Sequence, residues 1–204
     1  MASARRSGGR PLKPNDPKLV RLAYRLAAAI DPDACAVAGA MAVAVHGYVR
    51  ATADVDLVSR LPLPEVRKRL ADQGIKSALK RGDAREGDFD CLKGILEGIE
   101  FDILPPLVPF DWDNAVDVPL GGGETLKFVD LPTLIHLKLR AGGPQDVLDV
   151  VMLLQRHPAE AVRARELATA HGLAAQLETF MESPRIKAKA SEAVGRRRSR
   201  SSRR

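Results

Sequence analysis

Apolar residues recur along this chain in two periods, one typical of helices and one typical of strands. In residues 16–30, "DPKLVRLAYRLAAAI", they return every three or four positions behind Asp16 and Pro17, the residue types that commonly start a helix. Further helical periods follow along the chain. They predict helices over residues 40–46, closed by Gly47, and over 62–75, 131–141 and 144–157, with a last helix around "AEAVRARELATAHG" and "LAAQLETFME".

Shorter apolar runs predict buried strands between these helices. They are "ACAVAG" (34–39), "TADVDLVSR" (52–60) and "FDCLKGILEGIEFDILPPL" (89–107), the last being two strands with a tight turn at Glu97-Gly98. Residues 77–88 are predicted to form a loop, and the polar, Gly-rich segment 118–130 a connection. The order of elements indicates an α+β protein with a small mixed β-sheet and flanking helices, followed by a C-terminal helical region.

The same pattern divides the chain into four segments. We expect a disordered N-terminal tail, an α/β core, a helical region and a basic disordered tail over residues 1–16, 17–130, 131–183 and 184–204, respectively.

The composition indicates where the protein is located in the cell and which part of the chain carries the net charge. A hydrophobic content of 45% and a charged content of 28% are those of a soluble globular protein. The longest apolar run is too short to span a membrane, no secretory signal precedes it, and Cys35 and Cys91 have no metal-binding or disulfide spacing, so we expect a cytoplasmic protein. The net charge of +6 arises from the arginine-rich ends, because the body between them is slightly acidic. Those ends could contact nucleic-acid phosphates or act only as a solvated tail.

Three aspartates stand where strands are otherwise apolar. Residues i and i+2 of a strand face the same side, so Asp54 and Asp56 project together while Val55 and Leu57 face the core. Asp102 is a third carboxylate, inside "FDIL" on another predicted strand. If the two strands are neighbours, the carboxylates converge into a site for Mg²⁺ or Mn²⁺, with two metals about 3.5–4 Å apart for displacement at phosphorus.

A purely structural interpretation of these aspartates is also open. Asp54 could mark a strand entrance and Asp56 could pair with Arg50, because an isolated D-x-D is a weak motif. Gly39 and Ala40, at a strand-to-helix turn upstream, favour the site: the turn offers backbone N–H groups to a triphosphate.

The succession of strand, glycine turn, short helix and D-x-D strand resembles the nucleotidyltransferase superfamily of the polymerase β type. "GAMAVAVHGYVRATADVDLV", "IEFDIL" and "LPTLIHLKLRAGGPQDVLDVVMLL" together look like the AbiE-type toxin nucleotidyltransferases and their bacterial relatives, over residues 34–155. The resemblance implies the nucleotidyltransferase fold, an NTP substrate and a toxin–antitoxin setting with an antitoxin partner.

The resemblance also implies roles for individual residues. The metal-binding and catalytic carboxylates map onto Asp54, Asp56 and Asp102, and the nucleotide contacts onto Gly39, Ala40, Arg50 and Lys138. The turn is Gly-Gly or Gly-Ser in the family, so Ala40 departs from its pattern.

His46, Thr52 and Asp146 are predicted to support the site, and these three residues and Lys138 each have a structural alternative. Lys138 could lie at the edge of the buried helix face, and His46 could be a capping or core residue. Thr52 most simply starts the strand. Asp146, three residues before Asp149 on one helix face, suits an ion pair with Lys138 or stabilisation of the helix dipole.

Two functions follow from these residues. The first is a metal-dependent enzyme that transfers an NMP from an NTP to a hydroxyl of RNA (tRNA) or protein and releases pyrophosphate. The second is a non-catalytic NTP-binding, partner-binding or nucleic-acid-binding protein on the same fold. Three aspartates that repel one another in an empty site favour the enzyme.

Overall fold

The structure is a computed structural model that describes residues 13–82, 89–108 and 110–182. These residues divide into two compact units. The first runs through Val129 apart from residues 46–48, and the second comprises His46–Tyr48 and the described chain from Asp130 onward. The four segment boundaries given above stay a prediction, and residues 1–12 and 183–204 of the expected tails lie outside the described residues.

The first unit is built on a mixed seven-stranded sheet, which confirms the predicted α+β class. Its strands are β1 (Cys35–Val37), β2 (Asp54–Ser59), β3 (Ser77–Lys80), β4 (Cys91–Leu96), β5 (Ile99–Leu104), β6 (Val116–Gly121) and β7 (Glu124–Phe128). Their order across the sheet is β3-β4-β5-β2-β1-β7-β6. The β2–β5 and β1–β7 pairs are parallel and the others antiparallel, so the sheet is mixed as expected.

Three helices accompany this sheet at the predicted positions. They are α1 (Pro17–Ile30), α2 (Gly39–Val45) and α3 (Leu63–Asp72). Asp16 caps α1 by accepting a hydrogen bond from the Lys18 N–H at 2.9 Å, as expected for an aspartate before a first-turn proline. The helices α1 and α3 contact each other and the sheet, and α1 buries its apolar face. Burial of apolar side chains therefore holds α1 against the sheet.

The second unit consists of helices. They are α4 (Leu131–Ala141), α5 (Pro144–Arg156), α6 (Ala161–Ala170) and α7 (Ala174–Glu182), with 3₁₀ turns at Trp112–Asn114 in the first unit and Pro158–Glu160 in the second. Gly142 ends α4 in the left-handed conformation, φ 65°, which explains the glycine between the two helices. No helix in the described part of the chain is both long and apolar enough to cross a membrane.

Three sequence predictions of local structure were wrong. Residues 77–80 form β3 rather than a loop, and 118–130 contains most of the β6–β7 hairpin rather than a connection. The predicted last helix is two helices, α6 and α7, separated by a turn at Gly172. The strand β6 forms one edge of the sheet, carries Pro119, and has a register irregularity between Pro119 and Gly121.

His136 is an anomaly inside the second unit. The residue is 1% exposed, and neither ring nitrogen has a hydrogen-bond partner among the described residues. The His171 ring lies 4.8 Å away between centroids. Burial, with smaller contributions from His171 and Arg140, lowers the pKa of His136 from 6.5 to about 4. His136 is therefore neutral in the folded protein at neutral pH.

This pKa shift predicts loss of stability in mild acid. Between pH 6.5 and about 4 the unfolded chain binds a proton at His136 that the folded chain refuses, so the free energy of unfolding falls as the pH falls. The full loss is about 3 kcal/mol, and stability is unaffected by this group above pH 6.5. Urea unfolding at stepped pH should show a shallower slope for His136→Leu than for the wild type. His171→Asn removes only the smaller contribution of the exposed His171, so its slope should stay close to that of the wild type. Equal slopes for the wild type and His136→Leu would contradict the prediction.

Candidate active site

The aspartates Asp54, Asp56 and Asp102 occupy one face of two neighbouring parallel strands. β2 and β5 pair in a register that sets Asp56 beside Asp102 and Asp54 beside Glu100. Val55 and Phe101, which alternate with them, are completely buried on the opposite face. The condition stated from the sequence, that the two aspartate-bearing strands lie side by side, is therefore met. We call Asp54, Asp56, Asp102 and Glu100 the carboxylate row.

Gly39 lies against the carboxylate of Asp56. A Cβ placed on Gly39 would overlap Asp56 Oδ2, and the φ of Gly39, +57°, is in the left-handed region. The Ala38 N–H donates a 2.9 Å hydrogen bond to the Asp56 carbonyl, which ties the turn to β2. Glycine is thus needed here for both its backbone angle and its missing side chain.

Substituting Gly39 tests this close approach. Gly39→Ala is expected to lower the free energy of unfolding by about 2–4 kcal/mol, because left-handed strain is added to the displacement of Asp56. Gly74→Ala is a matched control: Gly74 has φ +72°, but no atom of the described residues lies within 4 Å of the position that the added methyl group would take. It should cost only the strain, about 1–2 kcal/mol. Equal losses in chemical denaturation would show that the contact with Asp56 has no energetic weight.

Two of the carboxylates have partners that the sequence did not reveal. Thr52 is 6% exposed and its hydroxyl donates a 2.6 Å hydrogen bond to Asp54 Oδ1. Thr52 therefore orients Asp54 from a position before the strand, which begins at Asp54 and not at Thr52 as expected. Asp102 forms an ion pair through Oδ2 with Lys93 of β4, its register partner on that side.

The donor set of the row suits a divalent cation, although it is not arranged as a formed metal centre. Carboxylate oxygens are the ligands that Mg²⁺ and Mn²⁺ take, and Gly39 leaves space beside Asp56 Oδ2 that a side chain would fill. Across the described residues, no three acidic, histidine or cysteine side chains are grouped as metal ligands. In this arrangement Thr52 contacts one oxygen of Asp54 and Lys93 contacts one oxygen of Asp102.

Three more of the predicted nucleotide-contact and supporting residues, Ala40, Arg50 and His46, follow Gly39 along the chain. Ala40 is 4% exposed, so its methyl group packs in the interior and only its backbone can offer a polar contact. Arg50 Nη1 donates to the Ala51 carbonyl at 3.3 Å. His46 belongs to the second unit, where its carbonyl oxygen lies 2.8 Å from His157 Nε2.

Lys138 and Asp146 form a largely buried cluster within the second unit. Lys138 Nζ lies 2.7 Å from Asp146 Oδ1 and 3.2 Å from Asp149 Oδ2. The Asp149 side chain is completely buried and also accepts a 3.1 Å hydrogen bond from Gln145. Asp146 accepts from the Gly143 N–H at 3.1 Å. Lys138 thus supplies a positive charge to a carboxylate that is completely buried.

Comparison with known proteins gives likenesses in structure, at low sequence identity and low TM-score. No family model matches the chain, and no curated protein does. JHP933 of Helicobacter pylori is similar over 87% of this chain and 95% of its own, at 13% identity and TM-score 0.38. A candidate nucleotidyltransferase of H. pylori is similar over 87% of this chain and 98% of its own, at 12% identity and TM-score 0.36. CdnC of Escherichia coli MS115-1, in complex with HORMA-deltaN, is similar over 72% of this chain and 51% of its own, at 16% identity and TM-score 0.34.

Proposed function

We propose that the protein is a metal-dependent nucleotidyltransferase. The observation that carries the proposal is the register of β2 and β5, which places Asp56 beside Asp102 on the same face as Asp54, with Gly39 against Asp56 Oδ2. Charges of one sign on adjacent strands destabilise a sheet, so a row of this kind calls for a functional reason. Handling a phosphate ester with a divalent cation supplies that reason.

In this proposal each residue has a defined task. Asp54, Asp56 and Asp102 would hold Mg²⁺ or Mn²⁺, and Thr52 fixes the orientation of Asp54. When bound, the cation would neutralise the triphosphate and promote attack by the acceptor. Gly39 and Ala40 would bring their backbone close to the nucleotide, and Arg50 would contact a phosphate.

The reaction balances without a further reactant. The acceptor hydroxyl oxygen forms a bond to the α-phosphorus of the NTP, and the bond from that phosphorus to the oxygen bridging to the β-phosphorus breaks. Pyrophosphate leaves, and a carboxylate of the row takes the hydroxyl proton. The acceptor class (RNA, including tRNA, or protein), the antitoxin partner and the phosphate contact of Lys138 rest on the family resemblance alone.

The test is transfer of label from NTPs. The full-length protein is incubated with each α-³²P-labelled NTP, Mg²⁺, and either total RNA or a protein extract. We expect label on RNA or protein with at least one NTP, and its loss when EDTA removes the cation. Label from a γ-labelled NTP should not transfer, because the γ-phosphate leaves in pyrophosphate. Absence of transfer from all four NTPs, together with Mg²⁺-dependent NTP binding in calorimetry, would instead support the binding protein considered above.

A further inference from the structure

Lys93 stands at the end of the carboxylate row. It lies on β4, in register with Asp102 on β5, which is in turn in register with Asp56 on β2. The three side chains thus follow one line across three neighbouring strands. The Lys93 ammonium forms an ion pair with Asp102 Oδ2. The first unit therefore places a cation of its own where the proposed function needs a cation.

The position of Lys93 allows both this contact and its release. Its side chain is 46% exposed, so the stem is not fixed by packing and the ammonium can move into solvent. A second cross-strand pair offers a comparison: Lys127 Nζ lies 3.2 Å from its register partner Asp117 at the far side of the same sheet. That pair is not in register with any residue of the carboxylate row. The two lysines therefore differ in one respect: the aspartate paired with Lys93 lies beside another carboxylate of the row, and the aspartate paired with Lys127 does not.

We infer that Lys93 is a positioning residue that serves as an internal counterion of Asp102 and competes with a divalent cation for its carboxylate. This inference rests on the proposed function. While Lys93 stays on Asp102, Oδ2 of that carboxylate is not open to a divalent cation. Engagement of Asp102 through Oδ2 requires Lys93 to leave. Lys93 thereby weakens cation binding in the absence of nucleotide and keeps the row folded without metal.

Manganese binding measures this competition without reference to activity. Free Mn²⁺ is followed by electron paramagnetic resonance during titration of the nucleotide-free, full-length protein. Lys93→Met is expected to bind Mn²⁺ about tenfold more tightly than the wild type, because a positive charge beside the ligands has been removed. Lys93→Arg keeps the charge and should stay within about twofold of the wild type. Lys127→Met removes the comparison lysine and should leave the affinity unchanged.

The outcomes separate this inference from the proposed function. Equal Mn²⁺ affinities for Lys93→Met and the wild type overturn the competition, as does an equal gain for Lys127→Met. If Lys93→Met does not fold, Lys93→Gln replaces it with the same expected gain. If Asp56→Asn leaves Mn²⁺ binding unchanged, the row is not the metal site and the proposed function fails at that point. If the Lys93 effect is present but no NTP yields transfer, the inference holds and the enzymatic proposal falls.

Discussion

Replacing Asp56 with asparagine is expected to reduce NMP transfer by about a thousandfold, a loss of about 4 kcal/mol of transition-state stabilisation. Asparagine keeps the size of the side chain next to Gly39 but removes the negative charge from the centre of the carboxylate row. The free energy of unfolding should stay unchanged or rise by up to about 1 kcal/mol, because like charges on adjacent strands no longer repel. The label-transfer assay and urea unfolding measure the two effects on one preparation.

The control for this variant is Asp117→Asn on β6. Asp117 is an exposed strand aspartate with a lysine partner in the same sheet, away from the row. It should retain wild-type transfer. Full transfer by Asp56→Asn would remove the carboxylate row from the mechanism, and equal losses in both variants would indicate a general effect of charge on the sheet.

Replacing Lys138 with methionine is expected to lower the free energy of unfolding by about 3–5 kcal/mol. The Lys138 side chain is 12% exposed and stands between Asp146 and the completely buried Asp149. Methionine fills similar space but leaves two carboxylates facing each other with their common cation gone. A buried carboxylate that loses its ion-pair partner carries a cost that a hydrogen bond from a neutral amide, such as that of Gln145, does not offset. Chemical denaturation at pH 7 measures the loss.

Two further variants identify its cause. Arg165→Met breaks the Arg165–Glu178 pair of the second unit, whose side chains are both 54% exposed, and should cost less than about 1 kcal/mol. The double variant Lys138→Met/Asp149→Asn should recover part of the stability, because the buried charge has been removed together with its partner. A loss in Lys138→Met no greater than that in Arg165→Met would contradict the prediction. Lys138 would then lack the structural role that its burial indicates.

The sequence was sufficient for elements whose signals are local. Three features follow from residues a few positions apart: the capped helix from Pro17, the glycine turn at Glu97-Gly98, and the half-buried aspartates on the face opposite buried Val55. Alternation also specified which face of β2 and β5 would carry the carboxylates. Register then brought Asp56 and Asp102 together, because two strands that each bury one face can pair in only a few ways.

The elements that were missed depend on distant partners. β3 has only four residues and is stabilised by pairing with β4. The sequence of β3 itself carries no strand signal that would predict this pairing. The β6–β7 hairpin is dominated by glycine and charge, although Gly122-Gly123 between alternating residues was a usable turn signal. Lys93 was missed for the same reason, as was the hydrogen bond to Asp54 from Thr52, which was predicted only as a supporting residue. Their importance comes from the atoms they contact, and neither belongs to a motif.

The edges of the sheet bear on how the protein behaves at high concentration. An edge strand exposes unpaired N–H and C=O groups that can recruit a second chain and begin a fibril. β6 carries Pro119, which has no N–H to donate, and its irregular register up to Gly121 interrupts the flat template that such recruitment needs. The opposite edge, β3, is only four residues long and ends in Lys80. We therefore expect both edges of the sheet that carries the carboxylate row to resist edge-to-edge association with a second chain.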